Sequence, residues 1–396
     1  MIWLSISLVM LGYVALTAAW QASADRWLKF SDLLIPRAMD VLIGSWLFFI
    51  GSSIGSFLNV VAWRMPRGVS VNGRSHCPWC DQTLSWKDNW PVFGWLALAG
   101  RCRTCRLPIS PRYPIVELAV GLCILFVGWR EVFNGDRALP FRHGLAARVD
   151  AMFVSQLTAG HLGTMVFHMV SIAVAWALGL VRYDGHRLPR SLVVVSLAMV
   201  IVPVLVRPAV AVVPWHVAMD ETWRADARHL DAAMRVITGL AAAVVVGRAL
   251  SRYLSPTADP KLDPLGKGTA RLLDLITLLV VPGVVVGWQA LLAVTNVALL
   301  IALAMPLVLP AARDPLARLG IALPIALTVQ LGYWRALHQW DYWPSVGTAP
   351  LVTLSWAAAV LVLPACLILQ TSRDRDAVSR AAHEAGHSGE EITPSD

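Results

Sequence analysis

Apolar runs of roughly 16 to 23 residues recur along almost the whole chain, and nothing else in the sequence restricts its fold as much. A hydrocarbon core is crossed by about 20 residues of helix, and lipid offers the backbone no hydrogen bonds, so repeated runs of that length specify a helical bundle. About ten spans are expected, near Ile2–Trp20, Val41–Trp63, Tyr113–Trp129, Leu162–Val181, Ser191–Val206, Ala233–Leu250, Leu272–Gly287, Gln289–Leu309, Ile321–Leu337 and Pro350–Leu369. The fold class is therefore all-α, a polytopic transmembrane bundle. Hydrophobic residues make up 57% of the 396 and charged residues only 15%, with a mean hydropathy of +0.61. These values exclude a soluble multidomain enzyme, a secreted disulfide scaffold and a free nucleic-acid binder.

The formal charge of +8 is a topological signal rather than a sign of a nucleic-acid partner, because basic residues of membrane proteins collect in cytoplasmic loops. The segment Arg64–Arg112 carries eight Lys/Arg against Asp81 and Asp88, which assigns it to the cytoplasm. Alternation then puts Arg182/Arg187/Arg190, Arg248–Arg271, Arg313/Arg318 and the tail Arg373/Arg375/Arg380 on the same side. The loop Arg137–Arg148, with three bases, runs against this pattern. The first run lacks a basic preceding region and reads as a retained helix, and the polar tail after Thr371 reads as disordered. Cys123 and Cys366 sit singly in apolar runs and are expected to be buried packing residues.

The other four cysteines form Cys77-Pro-Trp-Cys80 and, 21 residues later, Cys102-Arg-Thr-Cys105. Two such turns can present four thiolates at the corners of one tetrahedron, the arrangement of a structural Zn²⁺ site. The alternatives are two disulfides or unliganded thiols, which a reducing compartment disfavours. Four protein ligands leave no open coordination position, so the metal's role would be to stabilise a loop too poor in aliphatic residues to build its own core.

The stretch Gly51-Ser-Ser-Ile-Gly55-Ser56-Phe57-Leu58-Asn59-Val60-Val61-Ala-Trp-Arg64, followed by the cysteine pairs, resembles the amino-terminal half of the type IV prepilin leader peptidase/N-methyltransferase family, the A24 aspartic peptidases. Asp88-Asn89-Trp-Pro91-Val92, Trp95 to Cys102 and Ile109-Ser110-Pro-Arg112-Tyr113-Pro114-Ile115-Val116-Glu117 continue the similarity. The resemblance implies a multi-pass inner-membrane enzyme. Such an enzyme removes the leader peptide of prepilins or pseudopilins at the cytoplasmic face, in type IV pilus or type II secretion systems. It then methylates the new terminus with S-adenosylmethionine. Lipid bilayer and leader peptides are the implied partners. No Gly-rich Rossmann fingerprint for the methyl donor is visible.

In that family two aspartates share the peptidase chemistry, one acting as general base on water and one as acid. Asp184, in Val181-Arg182-Tyr183-Asp184-Gly185-His186-Arg187-Leu188-Pro189, is the candidate for the first. It lies five residues before Pro189 where the family has seven, so either two residues are deleted or the family's position falls on Arg182. In the second case Asp184 is a solvated or salt-bridged acid. The family's Gly-x-Gly-Asp element aligns with Gly266-Lys267-Gly268-Thr269, and a threonine cannot exchange protons with a carboxyl as a dyad requires. Asp274 is five residues further on, about 7.5 Å of rise and roughly 140° of rotation away, which turns it from the Thr269 position. Asp259 and Asp263 precede the glycines in a Pro-rich loop. The alternative function is accordingly a peptidase-inactive relative that methylates, binds or helps assemble pilin-like substrates.

Gly266-Lys-Gly-Thr269 lacks the spacing of a phosphate-binding loop. His161 and His168 read as helix-end or bundle-facing residues, and Gly51, Gly55 and Ser56 as a surface for close helix approach. The expected organisation is an extra amino-terminal helix and connector (1–40), a prepilin-peptidase amino-terminal domain (41–132) with its zinc loop (64–112), a peptidase-like membrane domain (133–312), additional carboxy-terminal helices (313–370) and a cytoplasmic tail (371–396).

Overall fold

The computed structural model describes residues 2–24, 27–134, 139–140, 159–213, 215, 225–254, 267–307, 314–366 and 369. Asp259, Asp263, Gly266, most of the Arg137–Arg148 loop and the tail after Thr371 lie outside the described residues. The described chain is helical, with two isolated β-bridges and no sheet. The helices are α1 (Ile2–Ala24), α2 (Phe30–Arg64), α3 (Phe93–Ala97), α4 (Arg112–Asn134), α5 (Ala159–Tyr183), α6 (Arg190–Val206), α7 (Ala225–Leu254), α8 (Lys267–Val286), α9 (Trp288–Ala304), α10 (Pro315–Gly332) and α11 (Trp334–His338), followed by α12 (Pro350–Cys366). Each expected apolar run overlaps a described helix, with Ile321–Leu337 divided between α10 and α11 at Tyr333; ten spans are not all matched by helices long and apolar enough to cross. By length and composition six are apolar enough to cross a membrane, those within α1, α2, α5, α7, α8 and α10, while α6, α9 and α12 are apolar but shorter.

The chain divides into two compact units, Met1–Asn59 with Asn72–Met169, and Val60–Val71 with Val170–Asp396. In the first, α2 and α4 cross closely because α2 presents glycine where they meet. A Cβ at Gly51 would lie 2.9 Å from the Gly121 Cα, and one at Gly55 would lie 2.9 Å from the Glu117 Cα. This is the close approach expected of those small residues. Just beyond the crossing, Asn59 Nδ2 donates to the Tyr113 carbonyl at 3.3 Å.

In the second unit glycine again sets the helix crossings. A Cβ at Gly179 of α5 would overlap the Gly320 carbonyl of α10, and one at Gly239 of α7 would come within 2.6 Å of the Gly283 oxygen of α8. The α8–α9 hairpin turns at Gly287, whose φ of +93° favours glycine. The carbonyls orphaned where α8 ends are taken up by a buried cation. Arg235, 2% exposed, donates through Nε to the Val284 carbonyl at 3.0 Å, through Nη2 to that of Val285 at 2.5 Å, and through Nη1 to that of Val213. Cys123 is buried as expected, whereas Cys366 is exposed near the end of α12. An outward-facing thiol on an apolar helix meets the surroundings of the bundle rather than its core.

Candidate functional site

The four paired cysteines converge. Their sulfur atoms all lie within 4.8 Å of one another, with Cys77 and Cys105 Sγ 3.8 Å apart and Cys80 and Cys102 Sγ 4.0 Å apart. A metal–sulfur distance of about 2.3 Å gives tetrahedron edges of about 3.8 Å, so the donor set could hold one metal ion. Disulfide sulfurs would be about 2 Å apart, and these cysteines are free.

Both cysteine pairs are built the same way. The Cys77 N–H donates to the Gln82 carbonyl at 2.9 Å and the Cys102 N–H to that of Leu107 at 2.9 Å; the Asp81 and Arg106 N–H groups return to the Cys77 and Cys102 carbonyls at 3.0 and 3.1 Å. Asp81 and Arg106, each directly after its second cysteine, hold φ of +53° and +62°. Each turn is closed by one bridge, His76 with Thr83 and Arg101 with Pro108. The tight turns aim N–H groups at sulfur. Those of Cys105 and Thr104 pull the Cys102 thiol down to about 6, which prepares a thiolate for a cation. At Cys105 the Leu107 N–H also lowers the pKa, but desolvation and the neighbouring sulfurs outweigh it and push that thiol up to about 11. Four sulfurs crowded together without a cation cannot all ionise.

The loop is tied down by polar contacts rather than an aliphatic core. Arg103 clasps Asp88 through Nε at 3.1 Å and Nη2 at 2.5 Å, holding the Asp88 carboxyl below the usual carboxylate range. Trp95 Nε1 donates to the Ile109 carbonyl at 3.0 Å and Trp79 Nε1 to that of Pro108 at 3.1 Å. Val92, strained at φ +61°, gives its N–H to the buried Glu117 carboxylate of α4 at 2.6 Å.

Asp184 caps the carboxy-terminal end of α5. The His186 N–H reaches the Val181 carbonyl at 3.2 Å and the Gly185 N–H that of Arg182 at 3.0 Å, with Gly185 at φ +79°, a Schellman turn. Asp184 is half-buried there, and Thr269 in the first turn of α8 is exposed. The side chain of α8 that reaches the Asp184 loop is Asp274, the acid set aside above for pointing away from Thr269. The rotation is as calculated, but the inward face of α8 carries Asp274 rather than Thr269. Its carboxylate accepts Arg182 Nη1 at 3.1 Å and the Leu188 N–H at 3.3 Å. Arg182 is 3% exposed, also donates to the His186 carbonyl at 2.8 Å, and has Asp314 at 3.7 Å. Asp314 in turn is held by Arg271 at 2.5 Å. The Asp274 carboxyl thus meets a guanidinium, and a guanidinium does not share a proton.

His161 and His168 face inward. His168 Nδ1 lies 2.5 Å from Glu131 Oε1, both side chains fully buried, and His161 Nε2 lies 2.8 Å from the Glu131 carbonyl oxygen. Glu131 closes the end of α4 where α5 begins and has no spacing signal in the sequence that announces it. Arg271 and Asp314 were equally silent, being single charges 43 residues apart.

Residues 49–131 match the family model of the bacterial peptidase A24 N-terminal domain. The chain is 47% identical over 100 residues to a prepilin leader peptidase/N-methyltransferase of Myxococcus xanthus, covering 24% of this chain and 30% of that protein. It is 44% identical over 95 residues to one from Klebsiella pneumoniae, covering 22% and 42%. To one from Burkholderia pseudomallei strain 1026b it is 34% identical over 154 residues, covering 32% and 48%. The matches thus span between about a third and a half of these relatives. No solved structure matches the chain.

Proposed function

From a chain that carries the amino-terminal domain of the bacterial A24 peptidase family in residues 49–131, we propose a multi-pass inner-membrane protein that processes prepilin or pseudopilin leader peptides at the cytoplasmic face. The new terminus is then N-methylated. The observation that carries the reading is the cysteine-knuckle block, which lies within the matched residues 49–131, beside the 47% identity over 100 residues to a named leader peptidase/N-methyltransferase. The four thiolates hold Zn²⁺ as a structural ion, because all four positions belong to protein. The zinc loop is cytoplasmic by its excess of Lys/Arg. S-adenosylmethionine would supply the methyl group. Among the described residues there is no Gly-rich strand-to-helix turn to cradle it, so no step is assigned through it. In this reading Asp184 is one acid of the peptidase, and the reading requires a second carboxylate within about 4 to 6 Å of it, close enough to couple their titrations.

One observation bears on a second reading, a peptidase-inactive relative that binds or helps assemble pilin-like substrates, or methylates a terminus already freed of its leader. Arg182, which occupies the family's first aspartate position if no residues are deleted, is locked onto Asp274, and Thr269 stands where the second aspartate belongs. The Asp274 carboxylate is thereby held to a guanidinium, which does not share a proton with it.

A single set of samples separates the two. Purified wild type, Asp184→Ala, Asp274→Ala, Thr269→Asp and Arg182→Asp/Thr269→Asp are incubated with a prepilin and, separately, with the same pilin already lacking its leader, and the products are followed by mass spectrometry. Cleavage by wild type that is lost in Asp184→Ala supports the peptidase. No cleavage by wild type, with a gain in the double aspartate variant, establishes the second reading. Absence of both cleavage and methylation in every sample removes both.

A further inference from the structure

The loop between the two cysteine pairs carries a stretch that neither metal binding nor leader processing uses. From Trp90 to Gly100, eleven consecutive residues, Trp-Pro-Val-Phe-Gly-Trp-Leu-Ala-Leu-Ala-Gly, are without a charge. An apolar run of about 10 to 14 residues is too short to cross a bilayer as helix, and forms either a buried core element or a segment that enters one leaflet and returns. Exposure separates the two. Leu96 is 43% and Trp90 38% exposed, with Ala97 and Ala99 exposed beside them. A core element would hide these side chains.

Entry into lipid demands that backbone N–H groups find acceptors inside the protein, and this turn supplies them. The Phe93 and Gly94 N–H groups donate to the Pro91 and Trp90 carbonyls at 2.6 and 2.7 Å. Those of Leu96, Leu98, Ala99 and Gly100 donate to the carbonyls of Val92, Gly94, Leu96 and Trp95 at 3.0 to 3.2 Å. Pro91 has no N–H, and that of Val92 goes to the Glu117 carboxylate. The turn also reaches along the sides of two helices. Trp90 meets the Phe49 ring of α2 edge-on, with centroids 6.3 Å apart. Phe49 is about 15 Å of helix rise from Asn59, the level at which α4 begins. It is itself 42% exposed, so Trp90 lies on the outward side of α2 rather than between packed helices. Lys87 and Arg101 flank the uncharged run, and Lys87 Nζ lies 5.5 Å from the ring of Trp86, which is 75% exposed. A basic rim with tryptophan beside it and an uncharged turn beyond matches an anionic leaflet from headgroup to acyl chain.

We propose that Trp90–Ala99 enters the bilayer leaflet beside the cysteine knuckles as a re-entrant turn, with Trp90, Leu96 and Ala97 against acyl chains and Lys87 and Arg101 at anionic headgroups. The proposal rests on α2 crossing a membrane and is independent of the reaction assigned to the protein. The full chain is reconstituted, one copy per disc, in nanodiscs of phosphatidylethanolamine and phosphatidylglycerol. A nitroxide is attached through p-acetylphenylalanine in place of Leu96 or of Ala97, which leaves every cysteine untouched, and in place of the exposed Gln82 as a reference in the first knuckle. Power-saturation EPR then compares collisions with oxygen, which concentrates in lipid, and with a water-soluble nickel chelate.

The oxygen-to-nickel ratio is expected to be several-fold higher at positions 96 and 97 than at position 82. Ratios equal to the reference overturn the proposal. Protection from nickel that arises only after a prepilin is added also overturns it, and assigns the surface to a protein partner instead of lipid. The unlabelled chain gives a second reading that does not depend on a label being tolerated in the turn. The fluorescence that distinguishes wild type from Trp90→Phe should be quenched when the acyl chains carry bromine, and a difference that bromine leaves unchanged places Trp90 outside the leaflet and refutes the insertion.

Discussion

Replacing Asp274 with asparagine preserves its shape and removes its charge, and the consequence can be worked from the surroundings of Arg182. That guanidinium is 3% exposed and its close anionic contact is Asp274 at 3.1 Å. Breaking a buried pair from one side costs about 3–5 kcal/mol, because the surviving charge stays out of water. Asp314 at 3.7 Å is part-exposed and shared with Arg271, so it recovers a fraction of this. The expected loss is therefore at the lower end, about 3 kcal/mol. Arg182→Met should cost a similar amount, since it strands the Asp274 carboxylate and drops the 2.8 Å bond to the His186 carbonyl. With both changed, as Arg182→Met/Asp274→Asn, no charge is left unpaired, and the double variant should be no less stable than either single. The coupling energy is then about 3 kcal/mol. Reversible unfolding in mixed micelles, followed by tryptophan fluorescence, measures all four species. If the single losses simply add in the double variant to within about 0.5 kcal/mol, the two residues do not act as a pair and the account of this site is wrong.

Chelation of the metal, or Cys77→Ser with Cys105→Ser, should remove one zinc per chain by elemental analysis and open residues 72–112 to protease, because the loop has few apolar contacts to hold it. Arg235→Met orphans the Val284 and Val285 carbonyls at the α8 end together with that of Val213 and should cost about 3 kcal/mol or more, with Arg235→Lys unable to replace the three-way donation. Gly179→Ala drives a methyl into the Gly320 carbonyl and should lower the unfolding midpoint, whereas Gly12→Ala, with open space around it, should leave it unchanged.

The zinc knuckles were legible because their chemistry is local. Each CxxC turn places two sulfurs by its own backbone, and the spacing of the turns needed only a loop long enough to close. The glycines at 51 and 55 were legible for a related reason, since a four-residue repeat puts small residues on one helix face whatever lies opposite. The peptidase half was different. Motif position pointed to Thr269, and Thr269 is on the exposed side of α8. Asp274 had been flagged only as an acid inside a span, and Arg182 only as the outcome of one alignment register. Their meeting depends on how α5 and α8 are rotated within the second unit, which the two residues' 92-position separation cannot encode. Cys366 shows the same dependence, since an apolar helix in lipid does not have to turn a thiol inward.

Sequence by itself determined the helical class, the stretches that become helices, the cysteine cluster and the small-residue crossing faces. These follow from apolar run length, turn geometry and residue size, which act over a few neighbours. Only the tertiary structure decided that Asp274 meets Arg182 and that Arg235 closes the broken helix. A partner for a buried charge or donor is chosen by whichever surface packs against it, and that choice is made between segments distant in the chain.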